Sequence, residues 1–177
     1  MSAEWVTAIA SAGTFVVIAA SAIAALLQLR HTRGSNQIIA LTECRETLES
    51  KEFQDAREFI IAELPTLLED SKICEKLRGA YFPSELRPIG YVANFFESMG
   101  AFVRFRIIDR RIACDLWCGV VLSMWNAILP VVRMRREIDE GIWENFEYLA
   151  VLCDDFVQRH PTSYPQGMRR MPLGETT

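Results

Sequence analysis

The chain has 177 residues, of which 50% are hydrophobic and 24% are charged, and its formal net charge is -4. This length suits one domain with an appendage, and the hydrophobic fraction excludes a chain that is disordered throughout. The mild acidity argues against a dedicated nucleic-acid-binding domain, which is expected to be basic, and five cysteines are too few for a disulfide scaffold.

The segment from Trp5 to Leu29 contains 25 residues without a charge. As a helix it would be about 38 Å long, which exceeds the hydrocarbon core of a bilayer at about 30 Å. Ten of its residues are Leu, Ile, Val or Phe, and together they favour insertion by about 3 to 6 kcal/mol. The pattern predicts a transmembrane helix, with residues 1–30 as the anchor and residues 5–29 in the lipid bilayer.

Two alternatives to an anchor are a cleaved signal peptide and a buried helix of a soluble domain. A signal peptide needs a basic start and an apolar run of about 7–15 residues, whereas this chain begins Met-Ser-Ala-Glu and its run is longer. A stretch of 25 uncharged residues at the N-terminus is also rare for a helix of a soluble core. The uncleaved anchor is therefore the favoured interpretation.

Charges on either side of the span predict its orientation. Glu4 precedes the span, and Arg30, His31 and Arg33 follow it. The positive-inside rule then places the N-terminus outside and residues 31–160 in the cytoplasm. Because that compartment is reducing, we expect the cysteines to be free thiols.

Residues 31–160 show helical rather than strand periodicity, so the predicted fold class is all-α: one N-terminal transmembrane helix followed by a small cytoplasmic helical bundle. Ser50 and Asp109 are placed as helix caps, and Pro88 suits a first helical position. The predicted helices cover 36–49, a segment from Ser50 that falters at Pro65, a short segment from Ser71 to Gly79, 88–106, a segment after Asp109, and about 140–159. Residues 161–177, rich in Pro and Gly, are expected to form a loose tail.

The segment Leu116–Val132 is a second uncharged run, and seventeen residues is the lower limit for a membrane span. Basic residues flank it on both sides, so spanning would carry one basic cluster across the membrane. We therefore predict a central helix that is buried on all sides. Trp117 and Trp125 are expected to be largely buried against the helices at 88–106 and 140–159.

Motifs for catalysis, cofactors or metals are not recognisable in the sequence. It contains no Gly-rich phosphate loop, and neither His31 nor His160 belongs to a Glu-x-x-His pair. Cys114 and Cys118 lie one helical turn apart, but no second Cys pair is close enough in sequence to complete a zinc site. We predict no catalytic residue, no cofactor and no metal ligand.

Charged residues within the helical part form the one candidate site. Glu97 lies among Phe95, Phe96 and Met99, where a carboxylate needs a partner. The candidate ligand or ion-pair site comprises Glu97, Arg104, Arg110, Arg111, Glu144 and Glu147. Structural ion pairs between helices are the favoured interpretation, and a polar pocket for a small charged ligand is the alternative.

Several segments together resemble a known family. They are Glu-Trp-Val-Thr-Ala-Ile at 4–9, Asn-Phe-Phe-Glu-Ser-Met-Gly at 94–100, Ile-Asp-Arg-Arg at 108–111, the pair Trp117 and Trp125, and Trp-Glu-Asn-Phe-Glu-Tyr-Leu at 143–149. This combination resembles the bacterial family known as domain of unknown function 4760. The resemblance implies one N-terminal span, an α-helical domain and a place in the bacterial inner membrane, and it brings no established activity.

A membrane anchor without a reactive constellation predicts a non-catalytic interaction or scaffold module. The alternative is a membrane-tethered ligand sensor or enzyme that uses the Glu/Arg pocket. Expected partners are the bilayer, a protein of unknown identity and a second copy of the chain, since small pairs such as Ala8 and Ala12 permit close helix approach. Basic clusters at 104–111 and 133–136 either rest on anionic lipids or form solvated faces; nucleic acid is not an expected partner.

Overall fold

The computed structural model describes residues 3–162, 164 and 167–171, and within these ranges every regular element is a helix. The all-α prediction is confirmed. Most of the predicted loose tail, like the side chains of Trp5 and Ala8, lies outside the described residues. Contacts divide the chain into two compact units, Met1–Glu46 and Thr47–Thr177.

The first unit belongs to a single helix, α1, which runs from Ala3 to Glu49 without a break. The large apolar side chains between Phe15 and Leu29 are exposed, as Phe15 at 73% and Val17 at 65% show. Among the described residues, two helical segments are apolar enough to cross a membrane by length and composition alone, Ala12–Glu49 in α1 and Arg110–Arg136. Core helices of soluble proteins and signal sequences pass the same test, so this finding is weak evidence for a span.

The described part of the second unit contains six further α-helices and one short 3-10 helix. In chain order these are α2 (Lys51–Ala62), α3 (Leu64–Leu67), α4 (Ser71–Leu77), the 3-10 helix Ser84–Leu86, α5 (Arg87–Arg104), α6 (Arg110–Arg136) and α7 (Glu144–Arg159). The predicted caps are present, because Ser50 Oγ accepts from the Phe53 N–H at 3.2 Å and Asp109 Oδ1 accepts from the Arg111 N–H at 2.8 Å. Helix α4 begins at Ser71 and is capped by Asp70, whose side chain accepts from the Lys72 N–H at 2.8 Å.

Helix α5 lies at the centre of this unit and packs against α2, α6 and α7. Three fully buried rings join these helices: Phe96 of α5 stacks on Phe146 of α7 with ring centroids 4.8 Å apart, and Phe53 of α2 meets Phe96 at 5.9 Å. Burial of such rings is a large hydrophobic contribution to stability. The cluster fixes the position of α7 on α5, where the polar contacts described below occur.

Helix α6 is not buried on all sides, and that prediction was wrong. Trp117 is only 9% exposed, but Leu116 beside it is 58% exposed. Trp125 is half-buried, and its ring meets Phe146 at 5.1 Å. Helix α6 packs against its neighbours on one side, and Pro130 lies on the open side. Proline has no N–H to bond the backbone carbonyl one turn earlier, and on the open side water can bind that carbonyl instead.

The last helix begins at Glu144 rather than near 140, which corrects the predicted boundary. Asp139 Oδ1 accepts from the Gly141 N–H at 3.0 Å, so the chain turns after α6 instead of starting a new helix. Trp143 then adopts a left-handed conformation, with φ at 55°. This turn reverses the chain and lets α7 pack back on α6 and α5.

Candidate functional site

The Glu97 carboxylate, on α5, caps the N-terminus of α7. Its Oε2 accepts from the backbone N–H of Phe146 at 2.9 Å, and its Oε1 accepts from Asn145 Nδ2 at 2.7 Å. Trp143, the residue before α7, provides no side-chain cap. Glu97 therefore provides, from another helix, the capping acceptor that a Ser or Asp next to the helix start usually provides. Its negative charge also suits the positive end of the helix dipole.

Close contact between α5 and α7 makes this cap possible. Gly100 of α5 lies directly against the backbone of Asn145, where a Cβ atom would overlap the carbonyl oxygen. One turn further along α5, Arg104 Nη1 donates to Asn145 Oδ1 at 3.1 Å. Asn145 thus connects Glu97 and Arg104, which do not need to pair directly.

The six residues of the predicted site do not meet in one place. Glu97 and Arg104 meet through Asn145, whereas Glu147 forms an ion pair with Arg136 at 2.7 Å and Glu144 is exposed. Arg110 and Arg111 line a different cavity of about 320 Å³ between the start of α6 and the end of α7. The structure therefore gathers these residues into local contacts rather than into one polar pocket.

The cavity at Arg110 and Arg111 also contains Arg159 and His160. Arg159 is paired with Asp155 at 2.9 Å, so part of the positive charge is already neutralised. The His160 ring stacks on the Phe156 ring, with centroids 4.5 Å apart, and so covers the last turn of α7. His160 directly follows α7, in agreement with the predicted end of the last helix at about 159.

Three thiols lie close together between α6 and α7. The hydrogen bond with Cys153 lowers the pKa of the Cys114 thiol, to which Arg110 also contributes, and the same bond together with burial raises the pKa of Cys153. Burial likewise raises the pKa of Cys118. All five cysteines are free, and within the described ranges no group of three or more His, Cys, Asp or Glu residues is arranged to hold a metal ion.

Arg135, near the end of α6, is a buried cation that the sequence interpretation missed. Only 8% of it is exposed. Its Nη1 donates to the backbone oxygens of Leu77 at 3.1 Å and Gly79 at 2.6 Å, and its Cζ lies 5.8 Å from the centre of the Phe82 ring. Arg135 therefore holds the end of α4 and the loop after it against α6.

A cavity of about 480 Å³ opens beside Arg135. Arg87, Tyr91 and Asn94 of α5 line one side of it, and Trp143 lines another. The Trp143 Nε1–H donates to Asn94 Oδ1 at 2.9 Å, which fixes both side chains at the cavity wall. The result is a cavity with two guanidinium groups and aromatic walls.

The spacing along α6 contains a signal for this inward arginine. Met124, Ile128, Val131 and Arg135 follow one another at intervals of four, three and four, which places them on one helix face, and all four are buried. Sequence reasoning treated 133–136 as a basic stretch beyond the core. In the structure α6 continues to Arg136, and Arg135 lies on its buried face.

A family model described as a domain of unknown function, DUF4760, matches residues 15–152. The matched range includes the Glu97–Phe146 contact and the whole cavity beside Arg135, whereas Arg159 and His160 lie outside it. No curated protein and no solved structure matches the chain.

Proposed function

The chain belongs to the DUF4760 family, and from that premise we propose that it is a single-pass membrane-anchored helical domain that acts by binding rather than by catalysis. Its N-terminus lies outside, and its helical unit faces the cytoplasm of a bacterium. The function resides in contacts that the domain makes while held at the inner membrane.

The observation that carries the anchor is the surface of α1. The apolar side chains from Phe15 to Leu29 are exposed, and the most apolar stretch of Ala12–Glu49 has a mean hydropathy of 2.1 with none of it buried. A patch of this size is costly in water, and insertion into lipid removes that cost. Helix α6 differs, since a third of its most apolar stretch is buried within the domain.

Contacts of the carboxylates support binding over catalysis. Glu97 caps α7 and Glu147 pairs with Arg136, so two of the three carboxylates in the predicted site have structural partners, while the third, Glu144, is exposed. A general acid or base must reach a substrate proton. Neither of these groups is placed to do so without leaving its partner.

The topology can be tested with reporters fused after Thr177. A fluorescent protein that matures only in the cytoplasm should be bright there, and a phosphatase that is active only outside should be silent. A charge-reversal variant, Glu4→Lys with Arg30→Glu and Arg33→Glu, is the control, because it should weaken or invert this pattern. A silent fluorescent fusion and an active phosphatase on the unaltered chain would overturn the proposed orientation.

A second candidate function, the sensing of a small ligand, is favoured by the cavity beside Arg135. The cavity lies wholly in the helical unit and within the range that the family model matches. In this candidate function, the helical unit binds the ligand while the anchor holds that unit at the membrane.

A further inference from the structure

We propose that the cavity beside Arg135 binds a small organic anion, whose carboxylate or phosphate group is held by Arg135 and Arg87 and whose ring packs against the aromatic wall. This inference rests on the second candidate function, ligand sensing, and it names the chemistry of that ligand.

The first argument is an uncompensated charge. Arg135 is more than nine-tenths buried, and its five N–H donors are matched by two backbone carbonyls, both bound to Nη1. Its Nε is buried and has no hydrogen-bond partner. In the part of the chain that the structure describes, Arg135 forms no ion pair, although buried charges are normally paired. The missing partner of Arg135 is an anion.

The second argument is the charge of the cavity wall. Arg87 and Arg135 both line the cavity, and none of the residues that line it carries a carboxylate. Arg87 and Tyr91 also border a neighbouring cavity with Glu52, Asp55 and Glu63, so Arg135 is the main anchor and Arg87 assists it. Two planar guanidinium groups suit the geometry of carboxylate and phosphate oxygens.

The third argument is the aromatic surface beside the charge. The rings of Phe82 and Trp143 lie 6.2 Å apart in an edge-to-face arrangement, and Tyr91 lines the same cavity. The Asn94–Trp143 hydrogen bond holds the Trp143 indole in place. Binding sites for small molecules combine such apolar walls with a few fixed polar groups, and about 480 Å³ falls within their usual range.

Binding at this place would also act on the fold. Arg135 connects α6 to the carbonyls at Leu77 and Gly79, and Trp143 immediately precedes α7. An anion that neutralises Arg135 therefore stabilises the junction between α4, α6 and the turn before α7. A ligand that binds the folded state alone raises the unfolding temperature with its concentration.

The test uses the full chain purified in a non-ionic detergent, with phenyl phosphate and benzoate as probes. Benzyl alcohol offers the same ring without charge, and inorganic phosphate offers charge without a ring. We expect both aromatic anions to raise the thermal midpoint in proportion to the logarithm of their concentration, and benzyl alcohol to leave it unchanged. We expect inorganic phosphate to bind more weakly than phenyl phosphate.

Three variants locate the effect. Arg135→Lys keeps the charge but loses the planar fork, and Arg87→Gln removes an exposed charge at the start of α5; each should weaken phenyl phosphate binding about tenfold, measured by calorimetry. Arg133→Gln, an exposed arginine of the same helix, is the matched control and should bind like the wild type. If Arg135→Lys does not fold, Arg87→Gln and the four probes still test whether the anion binds in this cavity.

The proposal is overturned if neither aromatic anion raises the midpoint, or if Arg87→Gln and a folded Arg135→Lys bind phenyl phosphate as tightly as the Arg133→Gln control and the wild type. Equal affinity for inorganic phosphate and phenyl phosphate would overturn the role of the aromatic wall. These results are independent of the reporter test, since binding in detergent does not depend on orientation in the membrane.

Discussion

At the residue scale, the contact between Glu97 and α7 explains why a carboxylate stands among phenylalanines. Sequence reasoning expected Glu97 to require an arginine or another hydrogen-bond donor, and the structure supplies the Phe146 N–H and the Asn145 amide. Arg104, which belongs to the predicted site, donates to Asn145 instead of to Glu97. No sequence pattern specifies which helix end a distant carboxylate caps, because that depends on how α5 and α7 pack.

We expect Glu97→Gln to lower the free energy of unfolding by about 1 kcal/mol and Glu97→Ala by about 2 kcal/mol. The glutamine keeps one acceptor oxygen but loses the charge and the second acceptor, whereas alanine leaves the Phe146 N–H without its cap. Urea denaturation of the purified variants measures both changes. Glu140→Gln, at an exposed position, is the control and should change stability by less than about 0.5 kcal/mol; wild-type stability in Glu97→Ala would rule out the capping role.

A pair of glycines tests the close approach of α5 and α7. Gly100→Ala should destabilise by about 3 kcal/mol or more, because the new methyl group overlaps the backbone of Asn145 and the helices must separate. Gly119→Ala, where nothing lies within 4 Å on the open side of α6, should stabilise by about 0.5 to 1 kcal/mol. Thermal melts of the two variants should shift in opposite directions, and equal shifts would contradict the packing described.

At the scale of helices, the sequence predicts which segments are helical and which residues cap them better than it predicts which side of a helix is buried. Ser50 and Asp109 cap the helices they were expected to cap, since a cap depends on neighbours in sequence. The burial of α6 depends on which side meets α7, and an uncharged run does not reveal that side. The start of α7 was placed too early because Asp139 forms a turn that competes with helix formation.

The two sides of α6 should respond differently to mutation. Trp117→Ala should cost about 3 to 5 kcal/mol, because a buried ring is lost and a cavity remains. Leu116→Ala, at its exposed neighbour, should cost less than about 0.5 kcal/mol. Urea midpoints of the two variants measure the difference; similar losses at both positions would mean that the open side of α6 is covered in the folded protein.

At the scale of the whole molecule, the most apolar stretch of α1 is exposed, whereas a third of the most apolar stretch of α6 is buried within a packed unit. The two segments look alike in an apolarity count, but α6 shares Phe146 and its neighbours with α5 and α7. This difference underlies the proposal of a single span. The Arg135 cavity lies in the packed unit and not in the proposed anchor.

The most direct test of the single anchor is alkaline extraction of membranes that contain matched arginine variants. The double variant Val17→Arg with Ala20→Arg places two charges in α1. Insertion of each arginine costs about 2.5 to 3.5 kcal/mol, which offsets the roughly 3 to 6 kcal/mol by which the apolar residues favour insertion. Leu116→Arg with Ser123→Arg places two charges on the open side of α6. We expect the α1 variant to leave the membrane pellet and the α6 variant to remain in it like the wild type. Retention of the α1 variant, or release of the α6 variant, would contradict a single N-terminal span.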